Sequence, residues 1–466
     1  MELAGKKVTV LGLGKSGVAA CRLLLSEGAK VFASEARKDA ALQKIAQALR
    51  HGGISVELGG HTPKWVKGRD LIVTSPGVPL TSPPLQWARE ERIPVWSEIE
   101  LGYHFCKGKI IAVTGSNGKS TTVTLLGRIL KEAKKRVFVC GNIGEPFCKV
   151  IPKIRSADWV VLEVSSFQLE QCHAFRPHIA VVLNVAPNHL DRHPSFEEYL
   201  LAKRRIAKSQ TENDFLLLNA DDPFARQLGK GLLVRTYYFS RTQKVTGVFM
   251  KEKEVFFSLH GVEEKVCTLR GLRISGSHNE ENALSAILAS LLVGVGSQPI
   301  QKTLLAFEGL PHRIEFIGEK GGIRFINDSK STTVSSTLCA LQTVPSPVLL
   351  IAGGREKNED FSVLAKSPLL KKIKQIFLIG EAKVKIYRAV GKQVKTSFAV
   401  TLEEAVQFAY QSASGGDTVL LSPMCTSFDM FENFEERGDR FKETVQTLLK
   451  VKGEKKSALT ENVYAS

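Results

Sequence analysis

Short apolar runs punctuate the chain: VTVLGLG near the start, IIAVT at 110–114, WVVLE at 159–163, IAVVLNV at 179–185, FLLLN at 215–219 and VLLIAGG at 348–354. Between them lie longer amphipathic stretches such as SGVAACRLLLSEG. Near-continuous apolar runs of this length predict strands covered on both faces, and their alternation with helices predicts parallel sheets. ALSAILASLLVGVG (283–296) reads as a buried helix and falls short of the roughly 18 uninterrupted apolar residues of a membrane span. Residues 237–270 change character, with YYFS, GVFMKEKEVFFS and KVCTLRG, and predict a small antiparallel patch. The tail KGEKKSALTENVYAS is polar and reads as frayed.

The pattern divides the chain into three α/β regions, placed at 1–106, 107–310 and 311–466. The first and last read as Rossmann-like, and the central one as P-loop-like with the antiparallel patch attached. A chain of 466 residues fits such a division, and a 43% apolar share leaves enough side chains for packed cores. Eight scattered cysteines, without a CxxC pair, read as reduced thiols of a cytoplasmic protein, and MELAGKK has no apolar signal core. The net charge of +17 raises nucleic acid as a partner. The basic runs, among them KEAKKR (131–136) and AKRRIAK (202–208), are not interleaved with aromatics, which favours solvated faces instead.

Two loops have the chemistry of phosphate cradles. Gly12, Gly14 and Gly17 form GxGxxG between a strand and a helix, and Glu35 ends the next strand, where a ribose hydroxyl would sit. Alone, this loop points to NAD, to another nucleotide, or to helix–strand packing. The second loop, TGSNGKST, runs from Gly115 through Ser116, Asn117, Gly118, Lys119 and Ser120 to Thr121. Its lysine suits phosphate charge and its serine hydroxyl suits Mg²⁺, so it points to ATP. Val113 stands where the full P-loop pattern has its first glycine.

TGSNGKST resembles the ATP loop of the Mur ligases, the ATP-dependent amide ligases of peptidoglycan precursor synthesis. The resemblance extends through GNIG (141–144), LEVSSFQLE (162–170), LNVAPNHLDRH (183–193), LAKRRI (201–206), SGSHNEENALSA (275–286), GLPHRIEF (309–316), INDSKSTT (326–333), AGGREK (352–357) and SPMCTSFDMFENFEERG (422–438). The last two motifs look like the branch that adds D-glutamate. No DNPR-type signature of the diaminopimelate- or lysine-adding branch is present.

The resemblance implies two nucleotide sites. The N-terminal loop would hold the UDP of UDP-N-acetylmuramoyl-L-alanine, with Gly14, Lys15, Ser16, Glu35 and Gly77 as contacts. The central loop would hold ATP. Activation of the substrate carboxylate as an acyl phosphate would precede attack by D-glutamate. Lys119, Glu163, His189 and Lys203 are then the catalytic candidates. Ser120, Glu163, His189 and Lys203 are the Mg²⁺ candidates, with two ions and a carbamylated Lys203 implied. Read without the family, Lys203 would be a surface helix lysine and His189 a loop histidine. Asn142 and Ser165 would contact substrate. Asn282, Arg313, Asp328 and Lys330 would serve ATP, and Thr332, Lys357, Ser427 and Phe434 D-glutamate. The last region would have to close on the others to exclude water. A monomer without nucleic acid or membrane span completes the reading.

Overall fold

The computed structural model describes residues 2–186, 193, 195–274, 276–356 and 359–450. His189, Lys357 and the polar tail lie outside the described residues. The chain divides into two compact units, Met1–Phe307 and Glu308–Ser466.

The first unit holds two sheets. The N-terminal one comprises β1 (Lys7–Leu11), β2 (Lys30–Glu35), β3 (Ser55–Leu58), β4 (Leu71–Thr74) and β5 (Val95–Ser97), in the order β3-β2-β1-β4-β5. Every pairing is parallel. The chain leaves β1 towards β2 on one side and returns to β4 on the other, which opens a crevice beyond the C-terminal end of β1.

The central sheet comprises β6 (Lys109–Thr114), β7 (Val137–Gly141), β8 (Trp159–Glu163), β9 (Ile179–Val182), β10 (Phe215–Asn219), β11 (Arg235–Ser240), β12 (Gly247–Lys251), β13 (Glu254–Leu259) and β14 (Val262–Thr268). Its order is β14-β13-β12-β11-β10-β9-β6-β8-β7, so the order reverses at β6. The expected antiparallel patch is smaller than its sequence range. YYFS lies in β11, which pairs parallel with both β10 and β12, and only β12, β13 and β14 run antiparallel. Helix Ser277–Leu292 buries every residue from Asn282 to Ser290 and packs on helix Lys119–Glu132, which explains an apolar run too long for an amphipathic stripe.

The two sheets are stitched together at the end of β5 and just beyond it. The backbone N–H of Ser97 donates to Gln171 O at 2.9 Å. The buried carboxylate of Glu100 accepts from three successive backbone N–H groups, of His173, Ala174 and Phe175, at 3.0, 2.7 and 3.0 Å.

The second unit has one sheet, of β15 (Glu315–Lys320), β16 (Ile323–Asn327), β17 (Val348–Gly353), β18 (Ile373–Ile379), β19 (Thr396–Phe398) and β20 (Thr418–Leu421). The order is β15-β16-β20-β17-β18-β19, parallel except for the β15–β16 hairpin. Among the described residues no helix is long and apolar enough to cross a membrane. All eight cysteines are free thiols; Cys339 is exposed and Cys106 half-buried, while the others are buried.

Candidate active site

Strand β6 leads into residues 115–118 and then into helix Lys119–Glu132, at the place where the sheet order reverses. Gly118 caps this helix with φ +83°, and a Cβ there would lie 2.1 Å from Asn282 Oδ1. Only glycine suits both conditions. Asn282 is buried and accepts from Thr122 Oγ1 at 3.4 Å, so it lines the loop from the buried helix. Thr121 sits half-buried in the first helical turn.

The next residues arrange charge. The Lys119 ammonium turns back on its own loop and donates to Gly115 O and Ser116 O at 2.8 and 3.0 Å. Ser120 Oγ donates to Glu163 Oε2 at 2.7 Å, and Asn142 Nδ2 donates to Glu163 Oε1 at 2.8 Å. Glu163 ends the apolar strand β8, so its buried carboxylate sits beside the loop with both oxygens engaged. Asn142, expected to touch substrate, holds this carboxylate. Ser165 caps the short helix Ser166–Leu169 and forms a capping box with Gln168.

Ser116 and Asn117 are braced by residues that sequence reasoning passed over. Ser116 N donates to Asn184 O at 3.0 Å, and Asn117 N to Asn184 Oδ1 at 2.8 Å. Ser116 Oγ lies 2.9 Å from the Tyr199 hydroxyl. His193 places Nε2 3.0 Å from Ser166 Oγ and Nδ1 3.3 Å from Glu170, stacked on Phe167. The motif LNVAPNHLDRH contains both Asn184 and His193, and Tyr199 follows it; the spacing alone gave no sign of these contacts.

Lys203 overturns its residue-only reading as a surface lysine. It is 1% exposed, on helix Phe196–Arg204, with its ammonium 4.5 Å from the centroid of the Tyr199 ring. Burial, and then the nearby charge of Lys119, push its pKa well below the ordinary lysine value. Its neighbours Arg204 and Arg205 point elsewhere, to the backbone carbonyls of Leu228, Lys230 and Cys172.

In the N-terminal sheet, the glycine loop is held from beneath. Gly17 packs so closely that a Cβ would lie 1.9 Å from Gly12 O. Glu35, placed by sequence at a ribose, directs Oε2 to the backbone N–H of Leu13 at 2.8 Å and Oε1 to that of Arg37 at 3.0 Å. Its carboxylate therefore shapes the loop. Gly14 and Lys15 are exposed and Ser16 is half-exposed at the start of helix Lys15–Ser26. Gly77 is exposed in the turn after β4, and that turn is joined to the loop by Ser75 Oγ donating to Gly12 O at 3.1 Å.

In the second unit Asp328, Lys330 and Thr332 follow β16, Ser427 and Phe434 follow β20, and Arg313 precedes β15. Asp328 is buried and accepts from Ser422 Oγ at 2.8 Å. Burial raises its pKa to about 6 against the opposing hydrogen bonds and the charge of Arg313, which is half-buried nearby. Ser329 Oγ donates to Phe434 O at 2.8 Å, and the exposed Lys330 ammonium lies 3.9 Å from the Phe434 ring centroid. Ser427 is buried in the turn after β20, and Thr332 is half-buried in the loop after β16. Arg437, which sequence reasoning did not single out, is buried and donates to Ser329 O and Cys425 O at 2.9 and 3.1 Å, tying two of these loops together.

This chain is matched by three family models: a MurD-like Mur ligase N-terminal domain over residues 6–97, the Mur ligase middle domain over 113–290, and the Mur ligase glutamate ligase domain over 312–425. The UDP-N-acetylmuramoylalanine–D-glutamate ligase of Acidobacterium capsulatum is 45% identical, over 96% of this chain and 97% of that protein. The ligase of the same name from a Thermoanaerobacter species is 42% identical, over 96% and 100%. Among solved structures, the UDP-N-acetylmuramate-alanine ligase MurC of Thermotoga maritima superposes with a TM-score of 0.57 at 21% identity, over 95% of this chain and all of that one. The MurF ligase of the same organism, in complex with ADP, gives 0.56 at 18%, over 96% of each chain. The chain belongs to the Mur ligase family.

Proposed function

We propose that this chain joins D-glutamate to UDP-N-acetylmuramoyl-L-alanine at the expense of ATP, in peptidoglycan precursor synthesis. The observation that carries the reading is the near full-length match to ligases of that name. The Ser120–Glu163 contact beside a glycine-lysine loop supplies the matching chemistry. The reading assigns residues 1–106 to the UDP part of the substrate, 107–310 to ATP and 311–466 to the amino acid, in a cytoplasmic monomer.

A carboxylate and a triphosphate repel each other, so joining them requires positive charge at the phosphates. Lys119 supplies one such charge once its ammonium leaves Gly115 O and Ser116 O for phosphate oxygens. Ser120 Oγ and Glu163 Oε2 are adjacent oxygen donors of the kind a hard divalent cation takes, and they fit Mg²⁺. When bound, Mg²⁺ neutralises charge on the phosphate oxygens. Asn142 orients Glu163 for this task through Oε1.

Lys203 as an ammonium does not fit a metal site. Its burial and the charge of Lys119 favour the neutral amine, which is the form that adds CO₂ and releases a proton to become a carbamate anion. A carbamate there would turn a cation into an oxygen donor for a second Mg²⁺, with His189 as its companion. In the second unit, Arg313, Asp328 and Lys330 are assigned to ATP, and Thr332, Lys357, Ser427 and Phe434 to D-glutamate.

The test is phosphate release from ATP and Mg²⁺ with UDP-N-acetylmuramoyl-L-alanine, comparing D-glutamate, L-glutamate, meso-diaminopimelate, L-lysine and L-alanine as acceptors. Release stimulated by D-glutamate alone, with a new UDP-linked dipeptide by mass, is the expected result. Release with another acceptor would move the assignment of Lys357, Ser427 and Phe434.

A further inference from the structure

We propose that the second unit carries a peripheral binding surface for anionic lipid, formed by helix Lys383–Val390 and the edge strand β19. Three large side chains stand out from these adjoining elements, Val384, Tyr387 and Phe398, exposed by 47, 45 and 46%, and Val400, two residues past β19, is exposed by 76%. They make up more than half of the large apolar side chains that the described part of this unit exposes. Tyr387 and Phe398 are in contact, with ring centroids 5.5 Å apart, which joins helix to strand in one patch. On the buried side, Ile386 and Val390 of the same helix enter the core, so the outward residues are not a displaced core face.

The segment itself is basic. From Ala382 to Leu402 the sequence contains Lys383, Lys385, Arg388, Lys392 and Lys395 and no acidic residue. Arg388, Lys392 and Lys395 are exposed. Of the acids next to it, Glu356 is paired with Lys385, Glu381 with Arg355 and Glu403 with Arg440, and Glu404 accepts from the Val400 backbone at 2.6 Å. Cations around exposed aromatic and aliphatic side chains suit the boundary between anionic headgroups and acyl chains. A protein partner would need roughly 800 Å² per side, more than an eight-residue helix and a three-residue strand supply. So short an edge strand is also a poor template for pairing with a second copy. Aliphatic Val384 and Val400 offer nothing to a nucleic acid. The surface accounts for part of the +17 charge that the ligase chemistry leaves unused.

The test is co-sedimentation of the full chain with phosphatidylcholine vesicles, with and without phosphatidylglycerol. Binding only to the anionic vesicles, lost in about 0.5 M salt, is expected. Lys392→Glu with Lys395→Glu should weaken it about tenfold or more. Tyr387→Ser with Phe398→Ser should weaken it comparably while phosphate release in solution is unchanged. Absence of binding, equal binding to neutral vesicles, or binding that both double variants retain would overturn the proposal. So would light scattering that shows a dimer dissolved by these variants, or duplex binding lost in them, without attachment to vesicles.

Discussion

The Tyr199 hydroxyl meets Ser116 Oγ at 2.9 Å, and the same tyrosine ring faces the Lys203 ammonium. One side chain thus couples the phosphate loop to the helix that carries the buried lysine. Ser116 Oγ also donates to Ala186 O at 3.0 Å and accepts from Ala186 N at 2.9 Å, so loss of the tyrosine hydroxyl leaves it paired. Tyr199→Phe should therefore cost only about 0.5–1.5 kcal/mol in chemical denaturation. The larger effect should be a severalfold rise in KM for ATP, read by phosphate release. An unchanged KM would show that the brace has no bearing on the loop.

Gly118 faces two constraints at once, a left-handed backbone and the amide of Asn282. Gly118→Ala should cost about 1–2 kcal/mol for the backbone alone. It should also weaken ATP binding about tenfold or more, because the loop must shift away from Asn282. Calorimetric titration of ATP measures this directly. Gly144→Ala, at φ +65° but with only a loose 3.9 Å neighbour, is the control for backbone strain without the clash.

Glu163→Gln keeps the shape at the end of β8 and removes the charge. Phosphate release should fall about 100-fold or more, since charge at the phosphates is the main demand of the chemistry. Ser120→Ala should raise the Mg²⁺ concentration needed for half-maximal rate. Equal rates for Glu163→Gln and the parent across a Mg²⁺ titration would remove this carboxylate from the metal site.

Lys203→Ala should abolish ligation without unfolding the chain, because alanine accepts burial where a polar amine resists it. Short carboxylic acids entering the vacated space should restore part of the rate if a carbamate is the working form. Mass spectrometry and bicarbonate dependence of the parent rate test the same point. Full activity in Lys203→Ala would end that assignment.

Glu98 gives the pH dependence of stability a definite sign. It is buried at the junction of the two sheets of the first unit and accepts from Cys148 N at 2.6 Å, while Oε2 has no hydrogen-bond partner. Burial raises its pKa from 4.5 to about 7. The folded state then holds the proton more tightly than the unfolded state. Its contribution to stability is fully present below 4.5 and is lost as pH rises through about 7. Glu98→Gln, neutral throughout, should flatten this fall, which has a limiting slope of about 1.4 kcal/mol per pH unit. Urea midpoints at pH 5, 6, 7 and 8 make the comparison. A parallel curve for the variant would show that Glu98 ionises normally.

Much of this was legible in the chain because it is local. Continuous apolar runs mark strands covered on both faces, and TGSNGKST carries its own turn and its own charge, so the α/β class and the phosphate loop follow from neighbouring residues. The family resemblance rested on motifs of the same kind. The antiparallel patch was seen but its edge was misplaced, since β11 and β12 have similar alternation whether a neighbour runs parallel or antiparallel. Direction is a property of the connection and not of the strand. Long-range contacts were the part only tertiary structure decided. Lys203 lies in a polar stretch, AKRRIAK, and nothing in that spacing says that one of its cations is buried while the next two reach backbone carbonyls. Asn142 was assigned to substrate by the resemblance and Glu35 to a ribose by its place, and nothing in the sequence says that one also grips Glu163 and the other the glycine loop. A polar side chain takes the partner that the fold brings within about 3 Å, and residues tens of positions apart in sequence are brought there only by packing.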